Sequence, residues 1–290
     1  MMIKLIYTLL STVVVVGLLY HFAALNVFNF FVSKDSESRQ IGGAVSYAAD
    51  PDQTLYVFKP KKELGQLPVL IFVHGGSWDE GNAANYEFAG RAFAAKGFLT
   101  FVINYRKNPK NQFPAFVQDV ALATAWANTH ASEYGGDGKT IFLSGHSAGA
   151  YNVALAVLDQ HFMKDAGVDP NIIKGVATLA GPFDFLPLDT SATIRTFGKV
   201  KDLANTQPIN FARSDAPPFL ILHGDDDTIV FPRNAKSLYN LLLEAGSKPK
   251  LVMYPHISHV QIMLSLSKPM RASAPVLNDV TNFFKNILKQ

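Results

Sequence analysis

No cysteine occurs among the 290 residues. That removes disulfides, thiolate metal sites and cysteine nucleophiles from consideration in one step. It does not assign a compartment, since an exported protein can fold without disulfides. Charge is scarce as well: Asp, Glu, Lys and Arg make up 17% of the chain, against a typical ~25%. The net charge is only +3, and no basic run exceeds two residues, as at Lys61-Lys62. A nucleic-acid partner is therefore not expected. Internal repeats and low-complexity tracts are also missing. Apolar residues, at 48%, are what the chain has in excess, enough for a well-buried core. The length suits one large α/β domain or two small ones.

Much of the apolar surplus lies at the start. Lys4 is the sole charge between Met1 and Val32, and Leu5 to Tyr20 is nearly all apolar. A buried globular helix would show a polar stripe, which this segment lacks. A cleaved export signal needs a basic start, an apolar middle and a small-residue cleavage site, which Lys4 and Ala23-Ala24 fit loosely. An uncleaved anchor needs about 20 apolar residues, and Leu5 to Val32 supplies that length. Tyr20, Phe22, Phe28, Phe30 and Phe31 would then lie near the far membrane interface. The length favours the anchor over the signal. Either way, the domain that follows is expected to be exported or held at a membrane, on its non-cytoplasmic side. The chain divides into this lead (1–32), a connector (33–52, polar from Ser33 to Gln40) and one large domain (53–290).

That domain reads as alternating strands and helices. Val69-Leu70-Ile71-Phe72-Val73 is continuously apolar, as expected of a strand covered on both faces. Further strands are predicted at Thr54–Phe58, Phe98–Tyr105, Thr140–Ser144, Val176–Leu179, Phe219–Leu222 and Leu251–Tyr254. Helices are predicted near 84–96, 113–129, 148–158, 234–244 and 278–288. The alternation implies an α/β class with a mostly parallel central sheet and helices on both faces. Ligands in such sheets bind at the carboxyl ends of the strands. Chemistry is thus expected in the loops after Val73, Ser144, Leu222 and Tyr254. Residues 182–217 carry no clear pattern and are long enough for a small cap.

Gly145-His146-Ser147-Ala148-Gly149 falls between a strand and a helix. A tight turn there pushes the Ser147 hydroxyl into the open, and the flanking glycines let backbone pack around it. A chance match somewhere in the chain is about one in ten, so the placement carries more weight than the motif. A hydroxyl needs a base, and the base needs an acid to orient it. In sites of this kind, acid and then base follow the serine. His259 and His256 are the histidines late enough to act as base. His259 is preferred because its loop position lets it swing over the serine. Asp227 is the preferred acid, as the fifth residue of His223-Gly224-x-x-Asp227 at the tip of a turn. Asp225 and Asp226 read as turn-formers, and Asp184 is the outside candidate for the acid. The remaining histidines read as structural or surface residues. Donors for a developing oxyanion come from the Ala148 N–H and from the glycine-rich loop His74-Gly75-Gly76-Ser77-Trp78.

Together with Asn104-Tyr105-Arg106, these segments resemble the carboxylesterase branch of the α/β-hydrolases. The pattern is similar to hormone-sensitive-lipase-like esterases, including kynurenine-formamidase-like and prenylcysteine-methylesterase-like members, from about Thr54 onward. The resemblance implies an α/β-hydrolase fold and ester hydrolysis without a cofactor. It places the oxyanion N–H groups on Gly76, Ser77 and Ala148. Ser77 departs from the longer His-Gly-Gly-Gly form, and relatives commonly carry a glycine before the histidine where this chain has Ser258.

The expected reaction is hydrolysis of a small to medium ester through an acyl-enzyme. Amide or formamide cleavage uses the same groups. A metallohydrolase built on His223, Asp225, Asp227, His256 and His259 is the competing chemistry, although nothing else calls for a metal. A binding protein that kept the fold is the non-catalytic alternative.

Overall fold

A strand with no polar residue must be covered on both sides, and alternate residues of Leu67–Val73 go to different cores. Val69, Ile71 and Val73 pack into one cluster, and Leu70 and Phe72 into the other. Ile141 and Leu143 against Phe142 split the same way. The computed structural model describes residues 25–62 and 65–290. Its strands are β1 (Ser38–Ser46), β2 (Thr54–Pro60), β3 (Leu67–Val73), β4 (Leu99–Ile103), β5 (Gly136–His146), β6 (Ile173–Leu179), β7 (Phe219–Gly224) and β8 (Lys250–Tyr254). They form one eight-stranded sheet in the order β1-β2-β4-β3-β5-β6-β7-β8. The pairings of β2 with β1 and β4 are antiparallel, and all others are parallel.

One face is covered mainly by α2 (Ala115–His130), α3 (Ala148–Leu158), α4 (Gln160–Asp165) and α6 (Arg233–Glu244). The other takes α1 (Glu87–Ala95), α7 (His259–Leu264) and α8 (Val276–Ile287). The segment 182–217 forms a short helix, α5 (Ser191–Phe197), and two 3-10 turns. Arg195 of α5 pairs with Asp79 at 2.6 Å, and Tyr151 donates to Thr206 O at 2.7 Å. The insertion is thus docked at the carboxyl ends of the central strands.

Two boundaries differ from the sequence reading. The region read as a connector contains β1, an edge strand hydrogen-bonded along β2. Its alternation is blurred because both faces of most of its residues meet solvent. The apolar lead read as an anchor or signal lies mainly outside the described residues. Its last part, residues 25–31, is helical and packs on the domain through Leu25 and Phe28, with Val32 following. Among the described residues no helix is long and apolar enough to cross a membrane.

The crossing of α3 over β3 leaves no room for side chains. A Cβ on Gly149 would land on the carbonyl oxygens of Val73 and His74, which are backbone atoms and cannot step aside. Gly149→Ala is expected to lower stability by about 3 kcal/mol, read as a drop in the urea midpoint. An unchanged midpoint would show that the crossing tolerates a methyl group.

Candidate active site

Ser147 occupies the turn between β5 and α3 with φ 54° and ψ −123°, a conformation unusual for a residue with a Cβ. Its N–H donates to Leu179 O at 2.9 Å, and its carbonyl accepts from Tyr151 N at 3.0 Å. The hydroxyl lies 2.9 Å from His259 Nε2, and His259 Nδ1 lies 2.7 Å from Asp227 Oδ2. A carboxylate only accepts, so Nδ1 carries the proton and Nε2 presents a lone pair to the serine. The structure therefore brings Ser147, His259 and Asp227 together with the polarity a general base needs.

Asp227 is held by more than its histidine. Its Oδ1 accepts from Ile229 N and Val230 N, each at 2.9 Å. His223 Nε2 sits 3.2 Å from Oδ2 and 2.7 Å from Val230 O. Burial alone would raise this carboxyl. The hydrogen bonds from His223 and His259 outweigh it and keep the group well below the usual carboxylate range. The reading of His223 as a structural or surface residue did not include this contact with the acid. Its signal was its place four residues before the acid.

His259 is not on a swinging loop. It opens α7, behind a reciprocal cap in which Ser258 and Gln261 bond each other's backbone. Its carbonyl accepts from His146 Nε2 at 2.9 Å, with the two rings 4.8 Å apart. His256 points away instead: its side chain is 90% exposed and its N–H donates to Asp225 Oδ1. Asp184 accepts from Ser237 Oγ and does not reach His259. The five-residue metal set likewise divides. Asp225 and His256 lie on the surface, where Asp226, outside that set, joins them, while His223, Asp227 and His259 form the relay that ends on Ser147.

The loop after β3 turns through three successive positive-φ residues, Gly76 (134°), Ser77 (51°) and Trp78 (63°). Turns of this kind align successive N–H groups into an anion-binding concavity. A side chain on Gly76 would meet the Glu80 carbonyl, so glycine is required there. Gly75 lies directly against His146 and Ser147, which seats the loop beside the serine. Ala148 is the first residue of α3, where an N–H has no intrahelical acceptor. His74 donates from Nδ1 to Gly75 O at 2.7 Å and stacks between Tyr105 and Tyr86. Trp78 is pinned at both ends. Its indole N–H donates to Asn152 Oδ1 at 3.0 Å, and its carbonyl accepts from Asn108 N at 2.9 Å. Its ring then stacks edge-on with Tyr151 and Phe197. Asn152, five residues after the serine, carried no signal in the sequence.

This sheet, turn and relay define the class: the fold is that of the α/β-hydrolases. The BD-FAE family model matches residues 55–242, well over half of the chain, and the protein belongs to that family. The probable carboxylic ester hydrolase LipM of Mycobacterium tuberculosis is 30% identical over 226 residues, 72% of this chain and 52% of that protein. The probable isoprenylcysteine alpha-carbonyl methylesterase ICMEL1 of Arabidopsis thaliana is 26% identical over 252 residues, 79% of this chain and 52% of its own. The chain thus spans about half the length of the curated relatives it matches. The crystal structure of esterase B from Lactobacillus rhamnosis superposes with a TM-score of 0.83, covering 98% of this chain and 97% of that one. At 20% identity that likeness concerns the fold alone.

The buried imidazoles carry a consequence for stability. Burial holds His74 and His146 neutral, lowering each to about 3, with the neighbouring His259 adding to the effect on His146. An unfolded chain protonates them near ~6.5. Between these values the unfolded state binds two more protons, so stability falls as pH falls from about 6.5 towards about 3. The limiting slope is about 2.7 kcal/mol per pH unit. Asp227, depressed in the folded state, adds a loss that begins below about pH 4. Urea titrations at stepped pH measure the slope, and a flat profile across this window would contradict the neutral burial of both rings.

Proposed function

We propose that the protein is a serine hydrolase that cleaves carboxylic esters through an acyl-enzyme. The observation that carries this reading is the unbroken relay from Asp227 through His259 to the Ser147 hydroxyl. Ser147 Oγ attacks the ester carbonyl while His259 Nε2 takes its proton. Asp227 stays ionised and stabilises the imidazolium. The N–H groups of Gly76, Ser77 and Ala148 receive the oxyanion of the tetrahedral intermediate. His259 then protonates the departing alkoxide, the alcohol leaves, and the acyl group remains on Ser147. Water, deprotonated by His259, attacks the acyl-enzyme and releases the acid with Ser147 restored. The relatives' names, a probable carboxylic ester hydrolase and a probable methylesterase, support an ester as substrate.

The attachment is a separate part of the proposal. Residues 1–24, with Lys4 as their one charge, hold the catalytic domain at a membrane on its non-cytoplasmic side. A basic residue before the apolar stretch favours that orientation.

Short-chain p-nitrophenyl esters test the chemistry. Ser147→Ala is expected to lower kcat by about 10⁶ and to abolish labelling by a fluorophosphonate probe. Asp227→Asn keeps the shape of the site but reverses the preferred tautomer of His259, and is expected to cost about 10⁴. Full activity in Ser147→Ala would overturn the assignment.

A further inference from the structure

Apolar exposure is distributed unevenly over this molecule. Six of the eight exposed large apolar side chains among the described residues lie at the carboxyl edge of the sheet, where Ser147 opens: Val27, Phe30, Phe31, Ile194, Ile229 and Phe231. The other two, Leu243 and Leu288, sit at the last turns of α6 and α8, at the opposite edge.

The placement follows from connectivity. Ile229 and Phe231 lie two and four residues past Asp227. Ile194 neighbours Arg195, which bonds Asp79 of the oxyanion loop. The helical segment 25–31 is held at the same edge. Asn29 accepts from Phe88 N, at the first turn of α1, and donates to Ala84 O. Because α1 follows a parallel strand, that turn lies at the carboxyl edge. Tyr86, just before it, stacks on His74 of the oxyanion loop.

Within this segment the spacing is amphipathic. Leu25, Phe28 and Val32 face the domain, whereas Val27, Phe30 and Phe31 face out. Phe30 and Phe31 are each 77% exposed and pack edge-to-face on one another. The 24 residues that run into Leu25 carry a single charge, Lys4. A grouped apolar surface of this kind marks an interaction site, unlike scattered single residues.

We propose that this edge docks on a lipid bilayer, so that the mouth above Ser147 opens towards the membrane and takes an ester resident in it. The substrate half of this statement rests on the esterase reading above. A bilayer fits better than a protein groove because the apolar groups come from three separate elements and continue into an apolar lead. Side chains such as Phe at the headgroup boundary gain by burying part of their surface there.

The lack of native cysteine makes the test direct. Phe30→Cys, Phe231→Cys and Leu243→Cys are introduced singly into the full chain and labelled with an environment-sensitive NBD fluorophore. Each is then mixed with phosphatidylcholine vesicles containing brominated lipid. Labels at 30 and 231 are expected to shift to the blue and be quenched by the lipid, while the label at 243 stays in water. Equal quenching at 243, or none at 30 and 231, overturns the proposal. A blue shift without vesicles, accompanied by a larger particle, assigns the patch to a second copy of the chain and overturns it too.

A catalytic comparison completes the test. Phe30→Ser combined with Phe31→Ser is expected to lower turnover of a long-chain p-nitrophenyl ester held in vesicles, relative to p-nitrophenyl acetate in solution, by at least about tenfold. An unchanged ratio counts against docking. Loss of both activities in the wild-type chain would instead overturn the esterase reading, and the quenching pattern would still decide the docking.

Discussion

The turn at Ser147 is the constraint on which the site depends. A residue with a Cβ at φ 54° and ψ −123° carries a cost on the order of 1–3 kcal/mol, so the surroundings must hold it there. The Leu179 carbonyl fixes the serine N–H from the neighbouring strand. Gly145 and Gly149 let the start of α3 pass within backbone contact of both its own strand and β3. Relaxing the turn would require that whole crossing to separate. The same geometry leaves the Ala148 N–H unpaired at the helix start and aims the hydroxyl at His259. Nucleophile placement and oxyanion donation are thus two results of one strained turn.

Around that turn lies a layer of buried polar groups whose polarity is set by what each can accept. His146 and His223 both meet backbone carbonyls through Nε2, so each is protonated on that nitrogen. His259 meets a carboxylate through Nδ1 and is protonated there. The carboxylate at the end of the relay gathers donors from Ile229, Val230, His223 and His259, which compensates its burial. An isolated charge in this position would be too costly to keep. The neutral rings at 74 and 146 follow the opposite logic: neither is hydrogen-bonded to a carboxylate, and burial outweighs the pull of Asp227 on His146 and drives out their charge. One principle therefore yields one persistent anion and two persistently neutral imidazoles around a single site.

How far the sequence reached depends on whether a feature is local. The β3 run, the β5–turn–α3 unit and the strand–helix alternation are local patterns with one dominant period. The fold class was accordingly legible, and α3 was placed at Ala148–Leu158 to the residue. The relative order of serine, acid and base was legible as well, which singled out Asp227 and His259. His256 was harder to set aside, because its exclusion depends on a positive φ of 57° that turns the side chain outward. Edge strand β1 escaped notice since most of it is solvated and lacks a buried face. Asn152 and the second role of His223 depend on contacts between distant segments, which periodicity does not encode. The insertion at 182–217 failed for the same reason: its short turns are held by Asp79, Asn108 and Tyr151 and not by its own pattern.

That insertion also links the chemistry to whatever lies above it. Arg195 and its carbonyl are bonded to Asp79 and Asn108. Asp79 donates from its backbone to Gly76 O, and Asn108 to Trp78 O. Phe197 packs edge-on against the Trp78 ring, whose indole is fixed by Asn152 on the nucleophile helix. The oxyanion loop is therefore clamped between α3 below and α5 above. Displacing α5 to admit a bulky ester would disturb the N–H groups that receive the oxyanion. A substrate is better accommodated from the side of Ile229 and Phe231, where Asn234 ties the acid loop to the β6 loop and leaves both apolar side chains exposed. The rigid side of the site holds the electrostatics, and the apolar side is left to receive the substrate.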